Sequence, residues 1–470
     1  MAAETGIWPM QSGGADKTQI SETWRPAKPV VMRVAVSVCT LAVMLATTGC
    51  AGEAQLPKLS ELNPFAEKEV PLPGKRVPVS LTEGRAGFDV AAAERPIALP
   101  PAYSNDAWSQ PGGTAHNALG HVALGTSVRQ TWSADAGQGS SSFGKLTASP
   151  IVADGRIFTL DTRGRVTAFS PGGSAAWRAS VTPEKEKDTK GFGGGLAADA
   201  GRVFAATGFG TVVALDSQSG KKLWEKNLSS PIRSSPTAAN GRVFVVSSDG
   251  MARALSASDG TELWTYQGLV ERAAILTNAS PAVGGDWVVV PYPSGEVVAL
   301  RIADGQPAWT ESLARSRLAS SLGSMTDAAR PVIEGGTVFA IGHSGLMVAT
   351  NLTDGQRLWS LNVPGIQAPA VAGDTVFLVD TAGHLMAITR REGKVLWTTR
   401  LPGTSTWSGP VVAGNRLWLT SNKGQLVGAD AATGRVDTQL NIGAPSYIAP
   451  IVAGGRLYVM TDTARLLAFN

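Results

Sequence analysis

Four histidines and two cysteines are the residues of this 470-residue chain best suited to metal or nucleophilic chemistry. His116, His121, His343 and His384 show no metal-ligand spacing, and two of them precede the first repeated unit. Cys39 lies inside an apolar run and Cys50 at its end, so the body of the chain carries no disulfide framework. The aspartates at 154, 249, 259, 304 and 354 are each followed by Gly, which marks turns and not acid–base pairs. Gly193-Gly194-Gly195 lacks a closing Gly-Lys-Ser/Thr and is no phosphate cradle. It reads instead as a place where an inner strand comes close to an axis. No G-x-S-x-G, Cys/His pair or EF-hand loop is present. The expectation is a protein that is not an enzyme and has no cofactor or metal.

Formal net charge is +4, with basic residues scattered and not striped, which gives no support for nucleic-acid binding. The elements that would position any site repeat. Ser235–Trp264 begins with Ser-Pro and turns at Asn240-Gly241, Asp249-Gly250 and Asp259-Gly260. Between these turns lie apolar or alternating runs, so the unit is one four-stranded antiparallel sheet. Copies run from Ser149 to Trp177, Gly195 to Trp224, Ser280 to Trp309, Arg330 to Trp359 and Ala368 to Trp397. A seventh opens at Gly409, with Thr438 at the Trp position, and an eighth at Ala449 ends after its third strand. A segment at Val128–Ser133 is expected to supply the missing strand. The expected fold is therefore all-β, an eight-bladed β-propeller of four-stranded blades whose ring leaves no open edge. Trp177, Trp224, Trp264, Trp309, Trp359 and Trp397 are expected to fill gaps between blades, each N–H seeking a carbonyl.

Upstream, Arg33 followed by the apolar stretch Val34–Ala46 and Thr47-Thr48-Gly49-Cys50 reads as a secretory leader. It resembles the lipobox of bacterial lipoproteins, which implies lipidation of Cys50 and anchoring to a membrane. Residues 51–105 are rich in Pro, Glu, Lys and Ala. The division expected is residues 1–49 as extension and signal peptide, 50–107 as a largely disordered lipidated tether, and 108–470 as the propeller. Two longer connections, after Trp264 and after Trp309, carry Leu269 to Leu276 and then Met325 and Asp327. Their apolar residues fit a partner surface or packing against the propeller equally well.

The repeat with Ser-Pro, Gly-Arg-Val-Phe, Gly-x-Val-x-Ala-Leu and Asp-Gly-x-x-Leu-Trp is similar to that of propellers related to pyrroloquinoline-quinone enzymes. Val203–Trp224 and Val376–Trp397 show it best. Within that superfamily, with its leader and eight units, the chain resembles the BamB family of outer-membrane protein assembly factors. The resemblance implies a non-catalytic scaffold of the barrel-assembly machinery, lipid-anchored at the outer membrane and facing the periplasm. It implies docking on the POTRA domains of BamA and help to nascent β-barrel proteins. It also implies partner contacts at Arg272, Ile275, Leu276 and Asp327, in the two long loops. The alternatives are a generic binding propeller of the envelope and a quinone-dependent dehydrogenase. The latter would need a Ca²⁺ site and commonly an adjacent Cys pair that this chain lacks.

Overall fold

The computed structural model describes residues 95–470 apart from 143, 187–192, 270–278 and 314–327. Cys50, Arg272, Ile275, Leu276 and Asp327 lie outside the described residues, as do the leader and the chain up to residue 94.

Eight four-stranded antiparallel sheets form the propeller. Blade 1 comprises Ile151–Ala153, Arg156–Leu160, Arg165–Phe169 and Ala175–Ser180. Blades 2 to 7 repeat this plan in order, and blade 8 joins Ile451–Ala453, Arg456–Met460 and Arg465–Phe469 to the early strand Gln130–Asp135. The closing strand lies two residues beyond the expected Val128–Ser133. Its start is sealed by Arg129 and Asn470, which exchange N–H···O bonds of 2.9 and 3.0 Å.

Burial follows position in the blade. Second strands such as Arg242–Val246 are buried after their first residue, because neighbouring blades cover both faces. Outer strands such as Lys222–Asn227 alternate instead, since one of their faces meets water. The apolar core lies between blades. One cluster, for example, joins Phe158 and Val166 of blade 1 to Leu196 and Val213 of blade 2.

The outer indoles reach across these seams. Trp177 Nε1 donates to Ser217 O at 3.1 Å, Trp224 to Ala257 O at 3.1 Å and Trp264 to Ile302 O at 2.8 Å. Trp309, Trp359 and Trp397 donate likewise to Leu352, Arg390 and Ala431. Trp132 completes the set by donating to Pro171 O at 3.2 Å. Each acceptor is in the next blade, at the turn between its third and fourth strands. The ring lies on a glycine of that turn: a Cβ on Gly220 would stand 2.6 Å from the Trp177 ring, and one on Gly305 2.7 Å from Trp264.

The hub is lined by a segment that composition does not mark as structured. Residues 98–123 run along the inner strands and hydrogen-bond to seven of the eight blades. Asn105 Nδ2 donates to Val452 O in blade 8 at 2.8 Å. Trp108 exchanges backbone bonds with Val152 in blade 1, and Ala198 of blade 2 donates to Ser109 O. Gln110 brackets Ala238 in blade 3, donating from Nε2 at 2.6 Å and accepting at Oε1 at 3.2 Å. Val283 of blade 4 donates to Ala115 O and Ile333 of blade 5 to His116 O, while Val122 pairs with Val412 and Gly414 of blade 7. His121 accepts from Asn415 N at Nε2, so its Nδ1 carries the proton given to Pro100 O at 2.8 Å. This belt satisfies the axial edges of the inner strands, which would otherwise be open. Residues 95–107, placed in the tether by composition, therefore belong to the folded unit. Their prolines forbid a central strand, but not extended chain held by side-chain amides.

Candidate partner-docking face

At most seams the residue leaving an outer strand donates its N–H to the turn between strands two and three of its own blade. Val181, Leu228, Gly268, Leu313, Leu401 and Ile442 bond in this way to Gly164, Gly210, Gly250, Gly295, Gly383 and Gly424. These turns and the blade-to-blade connections therefore open on one face of the ring. The described ends of both long connections are at that face, one leaving blade 3 at Gly268 and the other leaving blade 4 at Leu313.

Their roots meet at Tyr292. Leu313, leaving blade 4, packs against the first residue of the next blade's turn, where a Cβ on Gly342 would stand 2.8 Å from its own. The seam before it exchanges the two sizes. There the leaving residue is Gly268, and the turn residue is Tyr292, whose ring would lie 2.3 Å from a Cβ on Gly268. Tyr292 is 1% exposed, and its hydroxyl has no hydrogen-bond partner among the described residues. Burial raises its pKa, with Tyr266 and Glu296 adding to the effect. The second connection returns beside it: Ala328 is bridged to Gly342 and approaches Tyr292 O at 3.5 Å. Tyr292 thus touches the roots of both loops, with its ring at Gly268 and its backbone carbonyl at Ala328.

Two charged groups near these roots are internally matched. Arg253, on the third strand of blade 3, faces Asp249 at 3.7 Å and Glu262 at 3.5 Å. Burial works to raise the Asp249 pKa, yet hydrogen bonds from Ser247 Oγ and Met251 N, with the Arg253 charge, hold it below the ordinary value. Glu311 of blade 4 pairs with Arg357 of blade 5, Nε to Oε2 at 3.2 Å. The exposed Leu269 stands where the first loop departs.

Arg272, Ile275 and Leu276 fall between Leu269 and Ala279, and Asp327 directly precedes the bridged Ala328. The structure therefore gives the footing of these residues and not their geometry. Among the described residues no group of three or more His, Cys, Asp or Glu side chains comes together. None of their helices is long and apolar enough to cross a membrane. Sequence reasoning passed over Tyr292 and Gly268. The signal was there in their sizes, since each departs from its own column of the repeat.

A sequence model described as outer membrane protein assembly factor BamB matches residues 162–399 and 391–470. BamB of Xanthomonas campestris is 32% identical over 247 residues, which is 52% of this chain and 61% of that protein. The chain spans about half the length of the curated relatives it matches. Among solved structures, BamB from Moraxella catarrhalis superposes with a TM-score of 0.64 at 19% identity, covering 73% of this chain and 100% of that one. A quinohemoprotein alcohol dehydrogenase from Comamonas testosteroni gives the same TM-score at 14% identity, over 81% of this chain and 83% of that one. At such identities the likeness is one of fold, and it is the sequence match through blades 1 to 8 that places this chain in the family of the outer membrane protein assembly factor BamB.

Proposed function

We propose that this propeller is a non-catalytic scaffold in the assembly of outer-membrane β-barrel proteins, presenting the loops after Trp264 and Trp309 to the POTRA domains of BamA. The observation that carries the reading is the family match over residues 162–470, joined to the two long loops rooted together at Tyr292. In this reading residues 1–49 are an extension and signal peptide, Cys50 is lipidated, and the chain up to the belt is the tether. The protein is then held at the outer membrane, facing the periplasm, where nascent barrel proteins pass. Ile275 and Leu276 supply apolar contact, and Arg272 and Asp327 supply charge at its edge.

The test is capture of BamA from detergent-solubilised envelopes. Wild-type protein is expected to retain it, and Ile275→Asp with Leu276→Asp to lose it while the melting transition stays in place. Repeated capture without BamA would reject the docking role, and unfolding of the double variant would make the pair core. Cys50→Ala is expected to release the protein from membranes; retention through a carbonate wash would reject the lipid anchor.

The likeness to a quinohemoprotein dehydrogenase favours a second reading, an enzyme. The belt bonded to the inner strands supports the scaffold instead, because it narrows the hub, whose mouth keeps a cavity of ≈ 180 Å³. Dye reduction by an alcohol, with added quinone and Ca²⁺, would reverse that ranking.

A further inference from the structure

The loops entering the inner strands enclose a cavity of ≈ 180 Å³ at the mouth of the hub. Leu146, Ile366 and Ile448 contribute apolar wall, and Pro111 of the belt also lines it. Arg330 is the one charged side chain among the described residues that do so. Its position in the repeat is unusual. The residue before the inner-strand proline is Ser149, Ser235, Ser280, Ala368, Gly409 or Ala449 in the other blades that keep this proline. Blade 5 alone among them sets a long cation where small residues keep the hub open.

The fold makes no use of this charge. Arg330 Nε is buried without a hydrogen-bond partner, and no carboxylate pairs with the guanidinium among the described residues. The residue as a whole is half-buried where it lines the cavity, and its Nε is closed off from solvent. Burial pushes its pKa down to about 10, which leaves it protonated at neutral pH. A buried cation without a counter-ion is destabilising, and an oxyanion held against it removes that penalty.

We propose that the hub cavity is a binding site for a small carboxylate, whose planar oxyanion pairs with Arg330 and whose apolar body rests on Leu146, Ile366 and Ile448. A monoanion neutralises the guanidinium one to one, and the two planar groups match in a bidentate pair. A phosphate dianion would instead leave excess charge against an apolar wall. The volume suits a body of about benzene size, since apolar cavities of roughly 150 Å³ accept that ring. Ala279 and Arg330 stand at the returning ends of the two long connections, so the two assignments are kept apart by their readouts: capture of BamA tests the loops, and benzoate binding tests the cavity.

Calorimetric titration of the purified full chain with benzoate tests the proposal, with benzamide and inorganic phosphate as controls. Benzoate is expected to bind saturably at one site, and both controls about tenfold more weakly or less. Arg330→Met is expected to lose benzoate affinity by about tenfold or more and Arg330→Lys to retain part of it, because an ammonium keeps the charge without the fork. The Met variant should melt no lower than the wild type, and benzoate should no longer raise its melting temperature. Absence of saturable benzoate heat, equal binding of benzamide, or unchanged affinity in the Met variant would overturn the site. Preference for phosphate would overturn the carboxylate assignment. Failure of both variants to fold would show that the guanidinium already has a partner within the chain, and would overturn the proposal as well.

Discussion

Seven blade junctions carry an outer-strand indole, and the junction between blades 7 and 8 carries Thr438 in its place. Facing residues on strands two, three and four explain the exchange. Blade 1 sets Phe158, Ala168 and Trp177 side by side, and blade 6 sets Phe377, Ala387 and Trp397. Blade 7 sets Trp418, Gly428 and Thr438. The large ring has moved inward: Trp418 is 1% exposed, lies against Gly428 and donates to Ala413 O at 3.1 Å. The reason is topological. An outer indole clamps the turn that joins strands three and four of the next blade. Blade 8 draws its fourth strand from Gln130–Asp135, so it has no such turn. Where there is nothing to clamp, the indole is absent, and blade 7 is filled from within.

Trp264→Ala should give the largest effect, since it empties a site only 8% exposed and removes the bond to Ile302 O. A loss of about 3–5 kcal/mol is expected in denaturant unfolding. Gly428→Ala tests the inward move. Its Cβ would stand 3.0 Å from the Trp418 ring, and a loss of about 1–3 kcal/mol is expected, whereas pairing it with Trp418→Phe should recover most of this. If Thr438→Trp stabilised the protein by itself, the topological account would be wrong.

Gln110→Ala measures the belt against the outer seams. It strips both bonds from Ala238 in the hub, and a loss of about 1–3 kcal/mol is expected by the same unfolding measurement. The smallest effect belongs to Asp437, which pairs with Arg416 at 3.0 Å on a strand position where blades 2, 3 and 5 carry Leu223, Leu263 and Leu358. Asp437→Asn should lower stability by less than about 1 kcal/mol at neutral pH. The Arg416 hydrogen bond holds the Asp437 pKa below its ordinary value, against the opposing pull of burial. The stabilisation is therefore complete above the unfolded carboxylate range and lost as pH falls through the lower folded value. Wild type and variant should converge in acid, and a gap that persists there would reject the ion pair as the cause.

The blades were legible because each must satisfy the same packing with residues at fixed spacing. Gly-turns, β-branched second strands and the outer Trp recur closely enough to place every sheet, including the one completed by a strand from the other end of the blade array. The belt was not legible. Its amides and prolines have no period, and their partners are backbone groups hundreds of residues away, such as Val452 for Asn105. Tyr292 and Arg330 lay hidden for the opposite reason. Each stands in a well-marked column, and only its size or charge against the rest of that column shows that it does something different. The residues proposed to touch a partner were drawn from family likeness alone, since loop side chains obey neither period nor packing rule.

The belt also sets an order of events. Asn105 is made 347 residues before the carbonyl that receives it, and the strand at Trp132 precedes its partner Ala468 by almost as much. As the chain is synthesised, Trp108 can meet Val152 in the first blade early, but Asn105 and the closing strand must wait until nearly every wedge has formed around the axis. Such distant pairing is slow to nucleate, so the last blade and the start of the belt should settle together, as the final and rate-limiting act of maturation.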